Sequence, residues 1–485
     1  MPHAHMPHIG RSAEHSPVGR RAVLLTGAAT AAGVLVASSR ASSATAATTG
    51  AGDVPQVDTA PCSSTVVDTD APDLDAALAS VPDGGELVVT RRWERAAPLE
   101  VARPVTVRFT GEGHLAARGD FSVVRVTASH ASVVDAVVSG TGGRRAGAGR
   151  GIDVVGTHDA PLDDVRISGG RLSDLSHDGV RAEHVSGLVV QGVAVADVAY
   201  AGVLLRSCED SVVRACRVTD VHQPSPYVNS YGVIVTRDDT VSTSVAARSA
   251  RVVVEGCTVV GVRLWEGLDT HAGDRVVIRD NVVRDCRVGI AVVPCRDELD
   301  RSYRHAPLGF VVADNVVERI DLATPGAGIL VKGAGTSVGD AAERATGFVT
   351  GNTVRGHGGG TEGGIVLYLT RDVVVSRTAL EGCVDRGVLA YHSNDALTVT
   401  RTTVSGLVPS TPGGAVSAVE ARSGANTVTV SATTVSRVPG APGPVRGVAV
   451  ASPDNLVDLL ANDWRETDLP VWNKGAVVRR WADDA

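Results

Sequence analysis

Between Gly202 and Val293 the sequence repeats one five-residue phrase four times: Gly202-Val203-Leu204-Leu205-Arg206, Gly232-Val233-Ile234-Val235-Thr236, Gly267-Leu268-Asp269-Thr270-His271 and Gly289-Ile290-Ala291-Val292-Val293. A glycine is followed by an apolar residue, a variable one, a second small or apolar one and another variable one. This alternation is that of a β-strand, so the residue after each glycine points inward while the third and fifth places face out. The same phrase begins at Gly151, Gly179, Gly328, Gly364, Gly387 and Gly447, with Ala415 standing in once. Its shortest intervals are 22 and 23 residues, as from Gly267 to Gly289 and from Gly179 to Gly202. That length suits one coil of three short strands and tight turns and is too short for a helix-pair repeat, so the sequence predicts a β-solenoid.

Composition agrees with a stack of narrow coils. The chain has 54 glycines and only 3 % aromatic residues, so its core must be built from small and β-branched side chains. A second register mark runs through Cys216, Cys257, Asn281, Asn315, Asn352, Thr378 and Thr402, each two residues before a valine or leucine. Asn281, Asn315 and Asn352 come from successive coils, a placement that resembles the internal asparagine ladder of β-helices. Near the N-terminus, Leu74, Ala77 and Leu78 have amphipathic helical spacing behind Asp73 and Asp75, and Pro82-Asp83-Gly84-Gly85 stops the helix. A small helix, a Gly-Gly turn and a first strand resemble the cap of the pectate-lyase-like superfamily. The resemblance implies an all-β fold, a right-handed single-stranded parallel β-helix with a short N-terminal cap helix, over roughly residues 70 to 460.

The expected organisation is an export signal over residues 1–46, a linker over 47–68, cap helix and first strand over 69–95, and the β-helix with its C-terminal cap over 96–485. Arg20-Arg21 ahead of the apolar run from Ala22 to Ala37, with Ala44-Thr45-Ala46 as cleavage site, resembles a twin-arginine signal. The expected location is therefore secreted or extracytoplasmic, with no membrane attachment after cleavage. Seven cysteines cannot all pair, and Cys216 and Cys257 share a core register, so they read as small buried residues. Leu456 to Leu460 followed by Trp464, Trp472 and Trp481 is expected to close the open C-terminal end. A net charge of −8 gives no electrostatic reason for a nucleic-acid partner.

The candidate site follows from the longest insertions, around Pro224 to Tyr231, Asp238 to Ala250, Pro294 to Pro307 and Gly333 to Thr346, which flank the coil that begins at Gly267. Asp269 and His271 occupy outward places two residues apart, close enough to act on one sugar ring. Tyr231 and Glu266 hold the pre-glycine place in neighbouring coils, and these four form the expected catalytic set. The same outward place gives Arg206, Lys332, Tyr368 and Tyr391, joined by Arg237, as expected substrate-binding residues for a polysaccharide partner. Gly267-Leu268-Asp269-Thr270-His271 resembles the Y-G-[FI]-D-P-H motif of alginate epimerases, which implies catalytic roles for Asp269 and His271. Glu266 stands where that family has tyrosine, and Tyr231 is positioned to replace the phenol.

Three functions fit these residues. A lyase or epimerase acting on a uronate-containing glycan needs a base, an acid and a neutraliser of the carboxylate, and calcium held by Asp269 and Glu266 would serve as the last. A glycoside hydrolase would use Glu266 and Asp269 as its carboxylate pair, provided that Gly267 bends the strand between them. A non-catalytic β-helix would bind a glycan through the same strip. Gly356-His357-Gly358 matches one fragment of the polygalacturonase pattern without its acidic partners and reads as coincidence.

Overall fold

The structure is a computed structural model that describes residues 64–142, 147–223, 229–299, 301–320, 324–437 and 443–481. The expected export signal, Cys62 and the insertion residues 224–228 lie outside these. Among the described residues, three parallel sheets of 16, 13 and 14 strands carry the fold, and successive coils contribute one strand to each. The coil around the candidate site shows the pattern: Val253–Glu255 lies in the first sheet, Thr258–Val260 in the second and Glu266–His271 in the third. The chain then returns to the first sheet at Val277–Arg279. This is a right-handed parallel β-helix.

The recurrent glycine is explained by packing inside the coil. A Cβ on Gly267 would come within 2.6 Å of Val283 Cγ1, 2.8 Å of the Gly289 carbonyl oxygen and 3.0 Å of Cys286 Sγ. Gly151 is likewise 2.6 Å, at its hypothetical Cβ, from the Gly179 carbonyl oxygen. The register of the third sheet pairs Ile152 with Val180, then Val203, Val233, Leu268 and Ile290. One expected position is corrected: Val419, not Val416, pairs with Val388 and Val448, so Ala418 rather than Ala415 replaces the glycine. Val416 and Val419 are both buried, and the lengthened turn before them hides the register in the sequence.

Between the first and second sheets the chain turns on a single residue of positive φ, including Ala215, Asp280, Asp314 and Gly351. The next residue points inward, and here the asparagine ladder forms. Asn315 Oδ1 accepts from the Asn281 amide at 2.9 Å, and Asn315 Nδ2 donates to Asn352 Oδ1 at 2.9 Å. Each side chain also satisfies backbone groups of the turn, as when Asn281 Nδ2 donates to the Val254 carbonyl at 3.0 Å. A second ladder runs through Asn394, Asn426 and Asn455 at the turn from the third sheet back to the first. Cys216 and Cys257 are buried in the first ladder's column, and all six described cysteines are free.

The N-terminal helix spans Leu74–Ser80, with Asp73 Oδ1 accepting from the Ala76 N–H at 2.7 Å and Leu74, Ala77 and Leu78 buried. Thr65–Val67, within the segment expected as linker, is already a strand paired with Glu86–Val88. At the other end Trp464 is buried beneath Gly447 and plugs the last coil. The other two tryptophans do not share this role: Trp472 faces outward under Arg446 at 4.4 Å, and Trp481 is 55 % exposed. Among the described residues no helix is long and apolar enough to cross a membrane.

Candidate functional site

The strand Glu266–His271 lies in the middle of the third sheet, between Tyr231–Thr236 and Val288–Val293. The ladder pairs Tyr231 with Glu266 and Val233 with Leu268, and the strand bends at the intervening glycine. The bend lets Glu266 and Asp269, three residues apart, both face out while Leu268 enters the core. Glu266, Asp269 and His271 place a carboxylate, a carboxylate and an imidazole so that their ligand atoms all lie within 4.8 Å of one another.

The polar groups here are buried and poorly satisfied. The Asp269 side chain is 0 % exposed, and its Oδ2 meets His271 Nε2 at 2.9 Å as a charge pair. Among the described residues neither of its oxygens receives an aligned hydrogen bond, and Glu266 Oε2 is also buried without one. His271, with 27 % of its side chain exposed, is the member that meets solvent. Burial, reinforced by the Asp269 carboxylate, pushes Glu266 well above the usual carboxylate range. Burial opposes charge on His271, but the Asp269 carboxylate outweighs it and raises the imidazole to about 9.

Tyr231 completes the cluster, its ring edge-on to His271 at 5.9 Å. Burial, with Tyr200, Glu266 and Asp269 adding to it, holds the Tyr231 phenol well above its ordinary range. Tyr200 lies 5.5 Å from Tyr231 and 4.9 Å from His177, whose Nδ1 is 2.7 Å from the buried Asp178 carboxylate. All four expected catalytic residues therefore stand together. On the side of higher residue numbers, the Arg287 guanidinium lies 5.5 Å over the Trp265 ring and makes no ion pair among the described residues. Reading the outward strip alone misses Trp265, Arg287, Tyr200 and His177, because they sit on the turns just before the strands.

The expected substrate-binding residues divide. Lys332 and Tyr368 are paired in the outward column, as expected. Lys332 Nζ lies 5.2 Å over the Tyr303 ring, and burial lowers its pKa. Tyr368 and Tyr391 stack at 4.6 Å with planes 23° apart, although a register slip pairs Tyr368 with His392 on the backbone. Between this stack and the acidic cluster, Ala291, Leu330 and Val366 form an apolar floor. Arg206 is tied up in ion pairs with Glu183 at 2.9 Å and with Asp238. Arg237 is placed differently from its expected role: it is fully buried, donating to the Arg296 carbonyl at 3.3 Å and to the Val241 carbonyl.

Arg237 instead helps to hold the wall beside the site. The insertions at 238–250, 294–307 and 333–346 all leave the third sheet at the same turn and bind one another. Arg301 pairs with Asp239 at 2.8 Å, Arg248 with Glu343 at 2.8 Å, and the Gly335 N–H donates to the Tyr303 carbonyl at 2.9 Å. A second trio, Asp297, Glu298 and His305, lies within this wall. Arg237 approaches Glu298 at 3.9 Å and Arg304 approaches Asp297 at 3.8 Å, so positive charge already faces those carboxylates.

Residues 150–338 match a family described as a right-handed β-helix region, and this span includes the site strand. No curated protein sequence gives a significant match. Among solved structures, the catalytic unit of a thermostable GH87 α-1,3-glucanase from Streptomyces thermodiastaticus aligns with TM-score 0.50 and 14 % identity, over 85 % of this chain and 70 % of that one. The Dettilon tailspike protein aligns with TM-score 0.50 and 14 % identity, over 81 % and 70 %. The A-module of an Azotobacter vinelandii mannuronan C-5 epimerase aligns with TM-score 0.49 and 15 % identity, over 72 % and 100 %. At these identities the likeness is one of fold.

Proposed function

We propose that this β-helix is an exported polysaccharide-active enzyme that removes the proton beside the carboxylate of a uronate residue, as a lyase or an epimerase. The observation that carries the reading is the convergence of Tyr231, Glu266, Asp269 and His271 at one end of an apolar floor with tyrosines at the other. Stacked aromatic rings suit the flat apolar faces of sugars. The GH87 α-1,3-glucanase supports the class by analogy of fold, since that fold serves a glycan-acting enzyme there.

In elimination, the base takes the C5 proton, the freed electron pair forms the C4–C5 double bond, and the C4–O bond breaks with a proton delivered to the leaving oxygen. In epimerisation, a proton instead returns to C5 from the opposite face. Tyr231, whose ring meets His271 edge-on, is the phenol nearest to exchange such a proton, and the solvent-facing edge of His271 is where the sugar is set. Arg287, stacked on Trp265, supplies positive charge on the approach.

One observation favours a second reading. The Glu266 and Asp269 oxygens lie within 4.8 Å, which puts two carboxyl groups no farther apart than the roughly 5–5.5 Å of a retaining glycosidase pair. The burial of Asp269 weighs against its reaching an anomeric carbon. The assay that decides is incubation of the purified chain with uronate-containing and neutral glycans. Ultraviolet absorbance of an unsaturated uronate, or deuterium entering C5 from heavy water, supports the proposal. New reducing ends without either signal replace it with hydrolysis. Binding without turnover on every glycan makes the chain a binding protein.

A further inference from the structure

We infer that Glu266, Asp269 and His271 form a binding site for one first-row divalent transition ion, of which zinc is the probe, and that this ion is the charge centre of the cluster. The donor geometry is the first argument. One atom from each of the three side chains falls within 4.8 Å of the others, and Asp269 Oδ2 is already 2.9 Å from His271 Nε2, so small side-chain shifts bring all three to ordinary ligand distances of about 2 Å from a single ion.

The second argument is what these groups lack. The Asp269 side chain is completely buried, yet neither of its oxygens has an aligned hydrogen bond, and Glu266 Oε2 is equally unpartnered. An acceptor removed from water without a donor costs about 1–3 kcal/mol, and more when charged. Other buried acids of the fold are satisfied: Asp68 accepts from Thr90, Arg91 and Trp93, and Asp153 from Ser122 and Arg181, while Asp178, with one oxygen unpartnered, holds His177 and Arg150 with the other. Among the described residues the only basic side chain at ion-pair distance from the cluster is His271, because Arg287 is held over Trp265 and Arg206 is engaged with Glu183 and Asp238.

The donor chemistry then selects the ion. Calcium prefers six to eight oxygen ligands, whereas one imidazole nitrogen with two carboxylates suits zinc or manganese, leaving coordination positions open toward the exposed edge of His271. An ion that accepts a nitrogen ligand is therefore favoured over calcium held by Asp269 and Glu266. The inference deepens the proposed function by supplying the neutraliser for the uronate carboxylate, but it is read without any glycan.

The full chain, stripped with chelator and dialysed, is titrated calorimetrically with zinc, manganese and calcium chlorides. One zinc per chain is expected, bound at least 100-fold more tightly than calcium, with a rise in Tm. Asp269→Asn and His271→Gln each weaken zinc at least 100-fold, whereas Asp297→Asn in the wall trio leaves it unchanged. Should Asp269→Asn fail to fold, His271→Gln, at the exposed edge, carries the test with circular dichroism as the folding control. Absence of zinc and manganese binding, binding indifferent to both cluster variants, or equal affinity for calcium overturns the inference. A glycan-active chain that binds no metal refutes the ion alone, and a metal-binding chain inert on every glycan refutes the function alone.

Discussion

Asp269 lies in a third-sheet strand and Asn281 at the next turn between the first and second sheets, and both are buried polar residues, yet their surroundings are opposite. Asn281 is completed on every side: its amide donates to Val254 and Asn315, and its Oδ1 accepts from the Cys257 N–H at 2.8 Å. Asp269 is a buried carboxyl whose one close ionisable partner at ion-pair distance, among the described residues, is the His271 imidazole. A satisfied polar column holds coils in register, whereas an unsatisfied acidic cluster costs stability and persists only where something else needs it. The ladder is where the fold specifies itself, and the cluster is where it is prepared for a ligand.

The comparison breaks most sharply if the two sites respond alike to mutation. Asn315→Ala strips partners from Asn281, Asn352 and the Ile278 carbonyl, and is expected to cost about 4 kcal/mol in denaturant unfolding, with activity per folded molecule intact. Asp269→Asn is expected to lower turnover on the responsive glycan by about 1,000-fold while moving the unfolding midpoint far less. Equal loss of stability in both variants would abolish the distinction between ladder and cluster.

Two smaller effects sharpen it on the structural side. Gly151→Ala forces a methyl to within 2.6 Å of the Gly179 carbonyl oxygen and about 3 Å from Leu175 and Leu172, and is expected to cost about 1–3 kcal/mol with catalysis unaffected. His357 is buried with both ring nitrogens unpartnered, and burial, aided by Arg319, lowers it to about 3. Its folded pKa lies below the unfolded value near 6.5, so its contribution to stability is intact above pH 6.5 and falls away as pH drops toward 3. At pH 5 the loss is about 2 kcal/mol, and His357→Leu is expected to flatten this part of the stability–pH curve. The smallest expected effect is Lys332→Met, which removes a charge two coils from His271 and raises KM a few-fold with kcat unchanged.

The ladder and the third-sheet column were legible because each repeats with the coil, so that a period can be counted. Asn281, Asn315 and Asn352 stand at one offset from the following valine, and the sequence predicts their stacking. Asn394, Asn426 and Asn455 form an equal ladder without a countable period, since they lie at the turn whose insertions vary in length and erase the offset. The same cause misplaced Ala415 for Ala418. At the site, strand alternation places Asp269 and His271, but not the fate of Arg237, which depends on three loops meeting far apart in sequence. Trp265 and Arg287 precede their strands and carry no periodic signal, so only the folded chain shows them beside Glu266.

The interlock between each coil's glycine and the backbone of the next constrains how such a chain can lengthen or shorten over time. A whole turn can be gained or lost with every glycine still facing a neighbour of the right shape, whereas a fraction of a turn would drive side chains into the carbonyls above. Size therefore changes in discrete steps of about two dozen residues, while the outward insertions, which take no part in that interlock, are free to vary one residue at a time and to remodel what the protein recognises.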